Sequence, residues 1–196
     1  MTIAKGHPWG DEVARPEHVA TAASDAELAG FVTADPDALV GVSGGDVFSA
    51  LGRPAGRAPM ARRLPMDALR ISTDAGDFVA VAHVVLRNQW WSGPLFAVMN
   101  VGSIGRWNVA PAGHPNDGRA EVVEVDAGMT LRTRLQVRRR LPTGTHLPHP
   151  QIRVRPRAEG TIELDRPLGC WVDGMRHDQV QRVTFTVEAD AYALIC

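Results

Sequence analysis

The sequence predicts a mainly β protein of the α+β class, with a C-terminal β-sandwich behind a small N-terminal α/β segment. Three observations carry that prediction. Short Val- and Ile-rich runs follow one another after Gly76, separated by Gly, Pro, Asn and Asp turns. Val183, Phe185 and Val187 alternate with Thr184, Thr186 and Glu188, the pattern of a sheet with one buried face. Only one strand–loop–helix pattern occurs near the N-terminus, too little for a doubly wound sheet.

Residues 1–23 are polar, carry Pro8 and Pro16, and are expected to lie irregularly on the surface. Ser24-Asp25-Ala26-Glu27 is a capping-box pattern ahead of Leu28, Phe31 and Val32, so a short helix starts there. Residues 38–42 form an apolar run ending in Ser43-Gly44-Gly45-Asp46, and Val47, Phe48 and Leu51 suit a helical turn that stops at Gly52. Residues 53–65 are basic and rich in Gly, Pro and Ala, which predicts a linker or mobile loop. Strands are expected over residues 77–86, 95–100, 119–125, 151–155, 161–164, 180–187 and 192–195. Residues 130–141 break the series: turn residues are few, and Leu131 and Leu135 sit one helical turn apart on a basic helix.

Composition narrows the function classes. The 196 residues suffice for one sizeable domain, which buries about 70% of its unfolded surface without a covalent staple. Lys plus Arg number 21 against 22 for Asp plus Glu, a balance that argues against a dedicated nucleic-acid binder. Cys170 and Cys196 form no metal-type pair, and two scattered thiols suit a reducing compartment. The N-terminal stretch lacks the apolar core of a signal peptide and no long apolar run occurs, so the expected location is cytoplasmic, with peripheral membrane contact open.

Several motifs suggest chemistry. Gly44-Gly45-Asp46 stands between a predicted strand and a predicted helix, where glycines let the backbone approach a phosphate and unpaired amides favour an anion. The same three residues also make an ordinary turn. Asn116-Asp117-Gly118 reads as a hairpin device. His146 and His149 are spaced as a metal pair would be, but Pro148 forbids a regular helix and no cysteine is near. Arg132, Arg134, Arg138, Arg139 and Arg140, with Trp90-Trp91 earlier, fit either a face for anionic lipid headgroups or a solvated helix with core tryptophans.

Taken in order, these motifs resemble the bacterial diacylglycerol kinase and sphingosine kinase superfamily. The likeness runs over roughly residues 38–195. Its strongest part begins at Leu95-Phe96-Ala97-Val98-Met99-Asn100, continues through Gly105 and Pro111 to Asn116-Asp117-Gly118, and ends with Gly144-Thr145-His146 and Trp171-Val172-Asp173-Gly174. The resemblance implies a C-terminal β-sandwich of the diacylglycerol kinase/NAD kinase type over residues 66–196. Residues 1–65 would then be a truncated nucleotide-binding-like segment. It also implies ancestral ATP-dependent phosphorylation of a lipid or other small-molecule hydroxyl, with ATP and Mg²⁺ as cofactors if the chain is active. Gly44, Gly45 and Asp46 would cradle phosphates, Asp117 would match a magnesium ligand, and Asp173 would orient or deprotonate the acceptor. Val47 and Phe48 stand where the family has glycine and threonine, and Met175 where it has glutamate. The second glycine-rich nucleotide loop has no counterpart. Those departures favour the alternative, a non-catalytic module that binds a lipid, a nucleotide or a partner, including a second copy through sheet edges.

Overall fold

The computed structural model describes residues 8–54 and 58–196. In chain order the elements are β1 (Asp11–Ala14), β2 (Ala20–Ala22), α1 (Asp25–Ala34), β3 (Leu39–Val42), α2 (Gly45–Ala50), β4 (Met60–Thr73), β5 (Gly76–Ala80), β6 (His83–Leu86) and β7 (Leu95–Met99). There follow a small hairpin of β8 (Ser103–Ile104) and β9 (Trp107–Asn108), then β10 (Ala120–Val125), α3 (Leu131–Arg140), β11 (Ile152–Arg157), β12 (Glu159–Val172) and β13 (Met175–Ile195). The protein is mainly β. Eleven strands share one sheet in the order β1-β4-β13-β12-β6-β7-β10-β11, antiparallel along that path, with β5 on β4. Only β3 is parallel to its neighbours, β13 and β2, and with α1 and α2 it makes the small α/β part.

Two expectations are corrected. Residues 1–23 were expected to be irregular and 53–65 to be a linker, yet β1 lies against the start of β4, Asp11 opposite Arg63 and Ala14 opposite Met60. Both segments are too polar to show an apolar period, and strand pairing uses backbone groups that the period does not report. Residues 1–7 and 55–57 of those two stretches lie outside the described residues.

Other elements differ in extent. The stretch 77–86 splits into β5 and β6 at Val81-Ala82. The expected strand at 161–164 is a part of β12, and 180–187 and 192–195 merge into β13 across a register shift between Glu188 and Tyr192. The cap at α1 forms with one difference from the capping-box pattern: the Ser24 hydroxyl accepts the Glu27 amide at 3.2 Å, while the Glu27 carboxylate accepts the amide of Ala23, one residue before the cap, at 2.8 Å.

The core is continuous with this pairing. Leu69 and Ile71 of β4 pack in one cluster with Val98 of β7, Ala120 of β10 and Phe185 of β13, so strands distant in the sheet order share a core. A second cluster seats Leu28 and Val32 of α1 and Val47 of α2 on Met66 and Leu194. A third lies under α3, around Val85, Ala97, Val123 and Ile152. At the free edge, β11 carries Arg153, Arg155, Pro156 and Arg157, which discourages pairing with another chain there.

Phe185 is 2% exposed, and its ring closes on Gly160, where a Cβ would approach Phe185 Cε1 to 2.9 Å. Phe185→Ala is expected to lower stability by about 3–5 kcal/mol in urea unfolding; a loss under about 1 kcal/mol would place the core elsewhere.

Candidate functional site

The Gly44-Gly45-Asp46 loop forms at the predicted junction of strand and helix, but the two amides that follow its glycines are already bound. Asp25, in the first turn of α1, crosses to α2 and accepts the Asp46 amide at 2.6 Å and the Val47 amide at 3.0 Å. Gly45 has φ +90°, and a Cβ there would run into the Asp25 carboxylate; one at Gly44 would strike the Ala23 carbonyl. The glycines therefore admit an internal carboxylate where a phosphate was expected. Asp25 is 6% exposed. Burial raises its pKa, while the two amides and the nearby His83 favour the anion. A triphosphate would have to displace that negative group, so the loop as folded does not fit ATP.

Asp46 points away from the loop. One oxygen accepts the Gly105 amide at 2.6 Å, in the turn of the β8–β9 hairpin, and the other meets His83 Nε2 at 3.0 Å. His83 begins β6 and its side chain is 5% exposed. Asp173 reaches the same residue from the other side. Its Oδ2 accepts the Val81 amide at 2.8 Å, and its Oδ1 accepts the amides of Ala82 and His83 at 2.9 Å each. The structure thus brings Asp46 and Asp173 together on His83, one at the ring and one at the backbone.

Asp173 sits at φ 48° and Gly174 at φ +82°, the positive pair of a tight hairpin between β12 and β13. Asp173 as a residue is 8% exposed. Burial pushes its carboxyl up to about 6, against three amide donors that favour the anion. Both oxygens face backbone, whereas Met175 is 57% exposed on the outer side of the turn.

Asp117 does not join this group. Its Oδ1 accepts the Arg119 amide at 3.0 Å, and burial raises its pKa. The buried residue of that region is Asp67, which accepts from the Gly118 amide at 2.7 Å, the Asp190 amide at 3.0 Å and Asn116 Nδ2 at 3.3 Å. Asp67 is consumed by these donors, and among the described residues no group of three His, Cys, Asp or Glu side chains is placed to hold a metal. His146 and His149 form no such group either. The donor set offered around Asp117 falls short of what Mg²⁺ demands.

A second feature escaped the sequence reading. Between α3 and the face of β6, β7, β10 and β11 lies an apolar pocket of about 260 Å³, closed at one end by the β8–β9 hairpin. Its charged lining residues are Arg134 and Arg138. Arg134, 8% exposed, staples the rim by donating to the carbonyls of Met129, Trp90, Asp126 and Gly93. Arg87 lies between two rings, 4.1 Å from the centroid of Trp90 and 4.0 Å from that of Trp171, contacts worth about 0.5–2 kcal/mol each. Trp90 meets Trp107 edge-on at 5.6 Å. Trp90 and Trp91, one reading of which put them in the core, are 36% and 53% exposed, and with Leu131 and Leu135 they form the rim.

No protein-family model and no curated protein matches this chain in sequence. Its structure matches others closely enough to decide the architecture. Three solved structures from Bacillus anthracis str. Sterne, all described as diacylglycerol kinases and two of them provisionally, superpose with TM-scores of 0.59, 0.58 and 0.55. This is a diacylglycerol kinase-like fold. Sequence identity is 9–10%, and each match covers 80% of this chain. The chain spans 69% of the first two structures and 66% of the third. Within this fold no helix of the described residues is long and apolar enough to cross a membrane.

Residues missed from sequence had faint signals. His83 is a polar residue inside the apolar run from Phe78 to Leu86, an arrangement that calls for a buried partner. Asp25 was legible only as part of a capping box, because nothing local shows that its side chain bonds another helix.

Two outcomes follow. Asp25→Ala strands the Asp46 and Val47 amides and should cost about 1–3 kcal/mol in thermal or urea unfolding. For His83, burial alone lowers the pKa, but the Asp46 hydrogen bond and the charges of Asp173 and Asp46 outweigh it and raise the net value above 6.5. A raised folded pKa contributes stability that is complete below the unfolded pKa and is lost as pH rises through the folded one. Stability should therefore fall as pH rises past the ordinary histidine range and through the raised His83 value, and His83→Gln should flatten that fall; an unchanged slope would assign it to other groups.

Proposed function

We propose that this protein is a lipid-binding module on a diacylglycerol kinase-like fold, which holds an acyl chain beneath α3 and does not transfer phosphate. The apolar pocket carries the reading, since its walls offer an acyl chain van der Waals contact on every side of the sheet and helix. The loss of transfer is supported by the Asp25 carboxylate in the phosphate loop, by Val47 and Phe48 after it, and by Met175 beside Asp173. In this proposal Asp173 is a positioning residue that sets His83 through the backbone. Residues 66–196 are taken as the β-sandwich, formed by the large sheet curling on itself, and residues 1–65 as the remnant of a nucleotide-binding segment. The division falls inside β4, so it is one of descent and not of independent folding.

Lipid entry through the rim implies peripheral contact with a membrane from the cytoplasm. Trp91, Leu131 and Leu135 are each about half exposed, and α3 carries four exposed arginines, Arg132, Arg138, Arg139 and Arg140, and no acid. That combination suits the interface of an anionic bilayer. Cys170 and Cys196, both free, accord with a reducing compartment.

The second reading keeps ATP-dependent phosphorylation of a lipid hydroxyl. It is favoured by one observation, the convergence of Asp46 and Asp173 on His83. Gly44, Gly45 and Asp46 would bind nucleotide with Mg²⁺ near Asp117 only if Asp25 moved away.

Calorimetry separates the two. Monoolein should bind and alter the fluorescence of the rim tryptophans, whereas ATP with Mg²⁺ should give no heat and no phosphate should pass to diacylglycerol. Leu135→Glu, at an exposed rim position, should weaken monoolein binding by at least about tenfold, because a charge then lines the chain's path. Nucleotide binding with turnover would restore the kinase reading.

A further inference from the structure

His83 stands where three elements each present a carboxylate. Asp46 of α2 meets its Nε2 at 3.0 Å, Asp173 of the β12–β13 turn accepts its amide at 2.9 Å, and Asp25 of α1 interacts through charge with both His83 and Asp46. Asp25, Asp173 and His83 are buried, and the Asp46 side chain is 13% exposed. From β13 comes Tyr192, whose buried hydroxyl is neutral and lies in the field of Asp173, Asp25 and Asp67. No Lys or Arg pairs with any of these four acids among the described residues. A proton on His83 is therefore the positive charge that this group of acids faces, and a sheltered charge is stable only when paired.

Asp46 divides its two oxygens between separate parts of the molecule. One is on the His83 ring at the start of β6, and the other accepts the Gly105 amide at 2.6 Å in the turn of the β8–β9 hairpin. That hairpin is a two-stranded sheet of its own, outside the large sheet. His83 Nδ1 has no partner, so the bond to Asp46 is the ring's single polar tie among the described residues. With the proton gone, the Asp46 carboxylate keeps its charge and its shelter but has Asp25 beside it and no cation. Desolvation and like-charge repulsion then both favour turning it toward water, and the Gly105 amide loses its acceptor in the same motion. Burial alone would lower the His83 pKa, but the Asp46 hydrogen bond and the charges of Asp173 and Asp46 outweigh it, so the ring keeps its proton above the ordinary histidine range. Burial also raises Asp25 and pushes Asp173 up to about 6, so toward acid these carboxyls discharge and repulsion among them builds on the alkaline side alone.

We propose that the Asp46–His83 pair is a proton-operated clasp: protonated His83 keeps Asp46 turned inward, where it holds the β8–β9 hairpin against α2, and loss of that proton frees the hairpin turn while the large sheet stays folded. The clasp does not depend on what the pocket holds, so its failure and the failure of the lipid-binding reading are separate results.

Amide exchange of the whole chain, followed by water-exchange NMR across and above the histidine range and corrected for the intrinsic rate at each pH, tests it. Protection of the Gly105 amide should fall at least about tenfold as pH rises through the His83 titration, since one unit of pKa displacement is a tenfold change in the equilibrium. The midpoint should coincide with that of the His83 imidazole resonance in the same sample. Amides of β4, whose residues Leu69–Thr73 are paired with β13 or β5, should keep their protection. Asp46→Asn retains an acceptor for the Gly105 amide and a donor for a neutral His83 ring but removes the charge, so its Gly105 protection should stop following pH. His83→Gln has no proton to lose and should show the wild type's alkaline level of Gly105 protection throughout. Gly105 protection that still follows pH in Asp46→Asn, a midpoint apart from that of His83, or a loss shared equally by β4 overturns the clasp. If His83→Gln does not fold, the wild-type and Asp46→Asn measurements decide the matter by themselves.

Discussion

The Asp173 carboxylate holds the two halves of this molecule in register. β5 belongs to the β4 side of the sheet and β6 to the β12 side, so the chain must kink at Val81-Ala82 to pass from one to the other. A kink in the interior leaves backbone amides without ladder partners, which is costly unless they are bonded. Asp173 accepts all three consecutive amides, and Asn100 takes the Val81 carbonyl with its side chain at 2.8 Å. Hydrogen bonds to a charged group contribute about 1.5–3 kcal/mol each, enough for one side chain to govern the crossover. The placement of β6, and with it β7, β10, β11 and the pocket, depends on that turn.

From the same turn the constraint reaches the N-terminal part. The amide of His83 is held by Asp173 while its ring meets Asp46, so α2 is hydrogen-bonded to the start of β6 through that residue. Asp25 then ties α1 to α2 by filling the glycine loop. The chemistry that makes such a loop attractive to phosphate, two free amides beside glycines, serves a carboxylate of the same chain equally well. A loop motif specifies an anion site; what occupies it is set by whichever acid the fold delivers.

On the opposite face, cations and aromatic rings alternate. Arg176 lies 5.8 Å from the Trp171 centroid, Arg87 lies between Trp171 and Trp90, Trp90 meets Trp107, and Arg138 covers Trp107 at the pocket mouth. Trp171 precedes Val172 and Asp173 on β12, so the strand that organises the kink also anchors one end of this ladder. Turn, crossover and pocket rim are therefore one mechanical unit. At the rim, Trp90 is held with Arg87 over its ring face and Trp107 edge-on, and Arg134 bonds the Trp90 and Gly93 carbonyls of the loop that carries it.

The β-rich class, the alternation along β13, the capped start of α1, the α3 helix and the ordered acidic turns could all be read from the sequence, because each depends on residues within a few positions of one another. The same local range explains the errors. β1 and the start of β4 pair across about fifty residues through backbone groups alone, and β5 and β6 are separated by a carboxylate roughly ninety residues away. The sequence by itself determined that Asp46 would sit at a strand-to-helix junction and Asp173 on a turn, and which lineage those motifs resemble. Only the tertiary structure decided that Asp25 fills the loop, that Asp173 faces backbone amides and that Trp107, Arg138 and His146 meet at one pocket. Such partners are chosen by long-range packing and burial, which fix where a side chain's unspent hydrogen-bonding capacity ends up.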